Sequence, residues 1–347
     1  MNIQTTASSR SQIPTLRAVA ELAGVSTSTA SRVITGSPQV TEDSVARVTA
    51  AIAELGYVPN RAARSLVRRQ PQTIAMMIPE RTAEFFADPY FAEVIQGAAA
   101  YASSTDYSLT LLIESESDPE KTHRVLSRGN VGGALILSHH SASEAYFQLS
   151  LSLPVVFGVR PPGGEDADIH VVDVDNVAAA ALATGHLVER GAVRVATITA
   201  PLDTSAGRER LQGWRDTLES AGLTPGGWEE GDYTPAGGAA AMRRLLDRAD
   251  TFDAVFVASA QMASGALGVL QSRGVRVPED VAIATLDNNY FSTSTTPPLT
   301  TVDLHTEEKG AMMVQALVRL IEGATVDTEV FVPITLVERE STALRRG

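Results

Sequence analysis

From Thr73 onward the hydrophobic pattern of this chain switches repeatedly between two periods. Short apolar runs, TIAMMI, SLTLLI, GALIL and PVVF, alternate with helix-length segments such as PYFAEVIQGAAAYAS and DPEKTHRVLSRG. A second set comes after them, in which HVVD, VRVATI, DAVFVA and VAIATL are interleaved with DNVAAAALATGHLVERG, GRERLQGWRDTLESAG, PAGGAAAMRRLLDRA and SAQMASGALGVLQSRG. Strands buried on both faces read as continuous apolar runs, so this alternation marks parallel sheets covered by helices. Two consecutive sets imply two α/β layers side by side, with a ligand crevice at the carboxyl ends of the strands. No GxGxxG follows a strand, and neither GxxxxGK[ST] nor GxSxG occurs, so neither a catalytic residue nor a cofactor is expected.

The segment ahead of Thr73 is built differently. Leu16, Val19, Ala20 and Ala23 recur at helical spacing behind Thr15, an N-cap candidate, and Gly24 supplies a left-handed stop. Ser26 can cap a second helix running to about Ile34, which buries Ala30, Val33 and Ile34. Thr27, Ser28, Thr29, Ser31 and Arg32 stay polar at or near its N-terminal half, the part that a recognition helix turns into a major groove. A third helix begins after Thr41, with Glu42 and Asp43 at its positive end, Val45, Val48, Ile52 and Leu55 on one face, and Gly56 closing it. Spacing alone also fits a plain three-helix bundle. Charge separates the two readings: residues 1–70 carry eight arginines against four acidic residues, whereas the whole chain has a formal charge of −13. An acidic protein with a basic head touches a polyanion with one end only.

Next comes YVPNRAARSLVRRQPQ, where Asn60 can cap and Arg61, Arg64 and Arg68 share a helical stripe. So short a helix is marginal alone, and phosphate charge along a minor groove could order it. Leu66 is available either to wedge between base steps or to pack on the neighbouring domain.

VAELAGVSTSTASRV, ELGYVPNRAARSL and the order of the downstream elements resemble the LacI/GalR family of bacterial transcription regulators over essentially the whole chain. The resemblance implies an all-α helix-turn-helix headpiece joined to an α/β two-lobed, periplasmic-binding-protein-like sensor. Residues 1–13 become a disordered tail, 14–58 the DNA-binding domain, 59–71 a hinge helix and 72–343 the effector-binding and dimerisation domain. Its N-lobe is expected at about 72–174 and 304–331 and its C-lobe at about 175–303 and 332–343, with helix 306–323 returning to the first lobe. Thr27, Ser28 and Arg32 then read base edges, Leu66 intercalates at an operator centre, and Thr29, Ser31, Asn60, Arg61, Ala63 and Arg64 complete the DNA contacts. Thr35 departs from the usual Asn before the glycine.

The same resemblance places Tyr90, Phe91, Arg160, Arg210, Tyr233, Ser259 and Asp287 at an effector pocket, with Asp175 beside them. It implies a repressor that binds double-stranded palindromic operator DNA as a homodimer under control of a small-molecule effector, a sugar or sugar derivative. A purine or nucleoside corepressor, or weakened effector control, is the alternative. Sugar-responding relatives commonly have Asn-Asp where this chain has Ser259-Ala260, Asp for Val159 and Gln for Leu304. Losing three polar partners argues against a simple hexose bound in the familiar way and for a less polar or larger ligand.

Composition agrees. There is no cysteine, hence no disulfide or thiolate metal site, and adjacent His139 and His140 after Ser138 lack a third metal ligand at suitable spacing. The N-terminus has no apolar signal core and no run reaches membrane-spanning length, so a cytoplasmic protein, nucleoid-associated on DNA and without a membrane partner, is expected. Only Lys121 and Lys309 are lysines, a bias that reads as genome base composition rather than function.

Overall fold

The computed structural model describes residues 14–34, 37, 39–57, 71–113, 124, 126, 129–137, 149–161, 169–248 and 251–343. The expected tail 1–13, the hinge positions Asn60, Arg61, Ala63, Arg64 and Leu66, the Ser138–His140 triplet and nearly all of the helix expected over 118–129 lie outside the described residues. The chain divides by its internal contacts into two units, Met1–Gln72 and Thr73–Gly347.

In the first unit, α1 (Leu16–Ala23) is capped by Thr15, whose side chain accepts from Ala18 N, and ends at Gly24 with φ 62°. The sharp left-handed turn this permits leads into α2 (Thr27–Ile34). Here α3 (Glu42–Leu55) begins at Thr41 and stops at Gly56, φ 58°. Val19, Ala20, Ala23, Ala30, Val48 and Ala51 form the small core, with Val33, Ile52 and Leu55 packed on it. Val45 departs from the expected face and is 40% exposed. One turn on, Val48 is fully buried as expected.

The second unit holds two six-stranded sheets. Sheet one contains β1 (Thr73–Ile78), β2 (Ser108–Ile113), β3 (Gly133–Ile136), β4 (Val155–Phe157), β5 (His170–Val174) and β11 (Glu329–Val332). They run in the order β11-β5-β4-β3-β1-β2, every pair parallel. Sheet two contains β6 (Val195–Thr199), β7 (Trp228–Glu230), β8 (Ala254–Val257), β9 (Ala282–Leu286), β10 (Thr300–Asp303) and β12 (Thr335–Val337). Its order is β12-β10-β9-β8-β6-β7, with β12 alone antiparallel. The chain therefore passes from one sheet to the other three times, between β5 and β6, between β10 and β11, and across the two residues separating β11 from β12.

Period-two alternation explains why these strands are apolar throughout. Ile74, Met76 and Ile78 of β1 enter one core while Ala75 and Met77 enter another, so both faces of sheet one are covered. One cover is the pair α5 (Pro89–Ser103) and α11 (Thr306–Ile321), which pack on each other. Before α5 lies the short α4 (Thr82–Ala87). Sheet two is flanked by α6 (Asn176–Glu189) with α7 (Ser205–Ser220), and by α8 (Pro235–Asp247) with α9 (Ala260–Ser272), around a core that includes Trp214 and Phe256. The short α10 (Tyr290–Thr293) comes after β9.

Candidate ligand cleft and DNA-reading helix

Strand ends build the cleft. Glu80 follows β1, Val159 follows β4, and Asp173 and Val174 end β5; from the other sheet Pro201 follows β6, Tyr233 follows β7, Ser259 follows β8, Asp287 follows β9 and Leu304 follows β10. All of them line one cavity of about 580 Å³. Carboxyl ends of two parallel sheets thus converge where connections diverge, the usual location of a ligand in such folds. Backbone strain gathers there too. Among the described residues the non-glycine positions with left-handed φ are Tyr233 (62°), Asp287 (75°) and His305 (46°), the last between the lining residues Leu304 and Thr306. Such conformations cost energy and persist where the surroundings enforce them, commonly at binding sites.

Arg210 lies on α7 and is 9% exposed. Its Nε donates to Asn176 Oδ1 at 2.9 Å and its Nη1 to the Ala258 carbonyl at 2.7 Å. Two bonds fix the guanidinium plane, and Nη2 donates to none of the described residues. Asn176 is held in turn through Nδ2, which donates to Val174 O and to Glu209 Oε2. Asp287 accepts from Ala260 N at 3.4 Å, and burial raises its carboxyl above the ordinary range against the pull of Arg210. Ser259 lines the cavity, but its Oγ caps α9 by accepting from Met262 N, so its O–H is what remains to offer. Tyr90 and Phe91 also line the cavity, with ring centroids 5.3 Å apart at an edge-to-face angle of 74°. Phe91, 6% exposed, serves the core of the first lobe as well.

Two expected residues are not brought to the cavity. Arg160 bonds Glu329 on the edge strand β11 at 2.7 Å, and its neighbour Val159 takes the lining position. Asp175 caps α6 by accepting from Ala178 N at 2.8 Å. Of the positions that depart from sugar-responding relatives, Val159, Ser259 and Leu304 line the cavity, whereas Ala260 contributes its backbone N–H to Asp287. Sequence reasoning missed Asp88, Asp173, Asn176, Gln261 and Lys309, all of which line it.

Asp88 is a link between lobes. It caps α5 through Tyr90 N at 3.0 Å, and the same Oδ1 accepts from Gln261 Nε2 of α9 at 2.9 Å. Burial, opposed by the Tyr90 backbone bond and reinforced by Asp287, raises its carboxyl to about 6. Burial, then Asp287 and Glu307, raises the nearby Glu93 to about 7. A folded carboxyl that titrates above its unfolded value holds a proton the unfolded chain has lost. Stability therefore falls as pH rises from about 4 to about 7 and is flat beyond. Urea unfolding should show the second unit gaining roughly 1 kcal/mol from Asp88 alone between pH 8 and pH 5, with Glu93 adding in the same direction. His186, lowered by burial, opposes this in the acid range. Asp88→Asn should remove the Asp88 share and leave the shallower slope due to Glu93, and an unchanged profile in that variant would contradict the assignment.

In the first unit, Thr27, Ser28 and Arg32 of α2 are exposed, while Thr29 and Ser31 are half-buried. Ser26 Oγ accepts from Thr29 N at 3.1 Å and lies 2.8 Å from both Ser28 Oγ and Thr29 Oγ1. This hydroxyl cluster orders the N-terminal turn that carries the exposed side chains.

Comparison with known proteins agrees with both units. Residues 15–60 match the bacterial regulatory proteins, lacI family, and residues 184–342 match a periplasmic binding protein-like domain. The HTH-type transcriptional regulator CelR of Thermobifida fusca is 42% identical over 335 residues, 94% of this chain and 96% of the relative. The chain belongs to the lacI family of bacterial regulatory proteins. The solved structure of a transcriptional regulator CelR-cellobiose complex superposes on this lacI-family regulator with a TM-score of 0.73 at 39% identity, covering 94% of this chain and 99% of the other. The lac repressor dimer bound to operator and the anti-inducer ONPF gives 0.84 at 26% identity, covering 95% and 99%. The protein is thus a transcriptional regulator with a helix-turn-helix headpiece and a periplasmic-binding-protein-like sensor. No helix among the described residues is long and apolar enough to cross a membrane.

Proposed function

We propose that this regulator is a homodimeric, cytoplasmic repressor of a palindromic operator, released or secured by a carbohydrate bound in the cleft between its lobes. Thr27, Ser28 and Arg32 read base edges from α2, with Thr29 and Ser31 beside them, and Asn60, Arg61, Ala63, Arg64 and Leu66 engage the minor groove. Tyr90, Phe91, Arg210, Tyr233, Ser259 and Asp287 hold the effector. The observation that carries this reading is the convergence of Arg210, Asp287 and Tyr233 on a single cavity of about 580 Å³. Planar donors, a carboxylate acceptor and an aromatic face are the groups that pair sugar hydroxyls and cover a sugar ring. Their neighbours Val159 and Leu304 are apolar, which favours a ligand larger than a hexose, in keeping with the cellobiose complex of the relative. Effector and operator are coupled by roughly 1–3 kcal/mol, equally in both directions.

The test is thermal unfolding of the purified protein against saccharides, glycosides, polyols, nucleosides and purine bases, and then operator binding with any ligand that stabilises it. A ligand at about 100 times its dissociation constant adds roughly 2.7 kcal/mol of stability. A saccharide that stabilises the sensor and shifts operator affinity supports the proposal, and stabilisation by purines alone overturns the carbohydrate assignment. In the same operator assay Arg32→Ala should cost roughly 1–3 kcal/mol and relax preference at one base pair of each half-site. An unchanged preference would remove Arg32 from base reading.

A further inference from the structure

One of only two lysines in a chain with 26 arginines is buried in the wall of this cleft. Lys309, on α11, donates through Nζ to Asp173 Oδ1 at 2.8 Å, and the two side chains are 3% and 11% exposed. The ammonium also lies 5.4 Å from the centroid of the Tyr90 ring. Val174 N donates to the same Oδ1 at 2.7 Å. Both bonds thus fall on one oxygen, and Asp173 Oδ2 accepts from none of the described residues. A guanidinium would take both carboxylate oxygens with its fork, whereas an ammonium is a point donor that engages one and leaves the other. Burial alone would lower the Lys309 ammonium, but the Asp173 carboxylate reverses this and holds the lysine charged.

We propose that Asp173 is a second specificity-determining acceptor of the cleft, whose Oδ2 accepts a hydrogen bond from a hydroxyl of an uncharged polyol effector also held by Arg210 and Asp287, with Lys309 as its positioning residue. This rests on the carbohydrate reading above and narrows it. Asp173 and Lys309 stand on the first lobe, Arg210 and Asp287 on the second, so an effector that satisfies both groups ties the lobes together. Uncharged ligands are selected because the cavity opposes anions. Asp88, Asp232 and Asp287 line it besides Asp173, against Arg210 and a Lys309 already paired. A phosphate or carboxylate on the sugar would meet like charge in a partly desolvated space.

The experiment is calorimetric titration of the full-length protein with cellobiose, D-glucose, their monodeoxy derivatives and glucose 6-phosphate. Asp173→Asn keeps the shape and removes the charged acceptor, and it should weaken neutral-sugar binding roughly 10- to 100-fold. One monodeoxy derivative should lose as much against the unaltered protein yet bind the variant as well as its parent sugar does. A purely structural role for Asp173 would not erase that discrimination. If Asp173→Asn fails to fold, the double variant Asp173→Leu/Lys309→Met removes the pair by apolar replacement and should show the same loss of discrimination. Unaltered ratios across the derivatives in a folded variant, or tighter binding of glucose 6-phosphate than of neutral sugars, overturn the inference while leaving a carbohydrate effector in place. Failure of every saccharide to bind the unaltered protein overturns the carbohydrate reading and this inference together.

Discussion

Arg210→Lys should abolish the effector response while operator binding persists. At 9% exposure the guanidinium already satisfies two buried acceptors, Asn176 Oδ1 and the Ala258 carbonyl, and through Asn176 it is tied to the crossover after β5. An ammonium lacks the fixed fork and cannot hold both acceptors while offering a further donor in the same plane. A ligand oxygen left without its charged donor, in a site partly closed to water, forfeits roughly 1.5–3 kcal/mol per hydrogen bond. Two such bonds correspond to at least a roughly 100-fold loss in saccharide affinity, a drop of about 2.7 kcal/mol or more. The headpiece has its own core of Val19, Ala20, Ala30 and Val48, so operator affinity without effector should stay within a few-fold of normal. Calorimetric titration with cellobiose and a gel-shift titration on operator DNA check the two halves separately. Saccharide binding within threefold of normal in the lysine variant would remove Arg210 from the effector site.

How much of this fold is legible in the chain depends on how far each interaction reaches along it. Helix caps and stops are local, and Thr15, Gly24, Thr41 and Gly56 act as their residue types suggest. Long apolar strands are local too. By contrast β10 reads TTVD, and its threonines are tolerated in a buried strand because distant groups satisfy them: Thr300 Oγ1 donates to Arg339 O, and Thr301 Oγ1 to Asp287 O. β11 and β12 are short segments whose membership in opposite sheets depends on the third crossover. The site divides in the same way. Arg210, Tyr233 and Asp287, placed by resemblance to the family, all line the cavity. Arg160 does not, because its partner, Glu329, lies 169 residues away and draws the guanidinium to an edge strand. Lys309 reads in the sequence as a matter of composition, because its partner, Asp173, lies 136 residues away.

Gly97→Ala should be among the most destabilising single substitutions in the sensor. Where α5 crosses α11, a Cβ on Gly97 would overlap the Glu307 carbonyl oxygen, and one on Gly310 would overlap the Val94 carbonyl oxygen. Each helix thus uses a glycine to admit the backbone of the other, and neither obstacle is a side chain that can rotate away. Overpacking in a core ordinarily costs about 1–3 kcal/mol, and relief here requires moving a whole helix, so a loss near or above the top of that range is expected. Gly268→Ala on α9 is the control. A Cβ there meets nothing within 4 Å, so helix propensity alone should stabilise by up to about 1 kcal/mol. Function should track the packing, because α5 begins at Asp88 and Tyr90 while α11 carries Lys309. Separating the helices draws Lys309 away from Asp173, so under conditions where the variant is still folded its saccharide affinity should be lowered as well. Equal stability of the Gly97 and Gly268 variants would mean that the two helices slide freely over each other, and the rigid first-lobe wall on which an effector could pull would have to be abandoned.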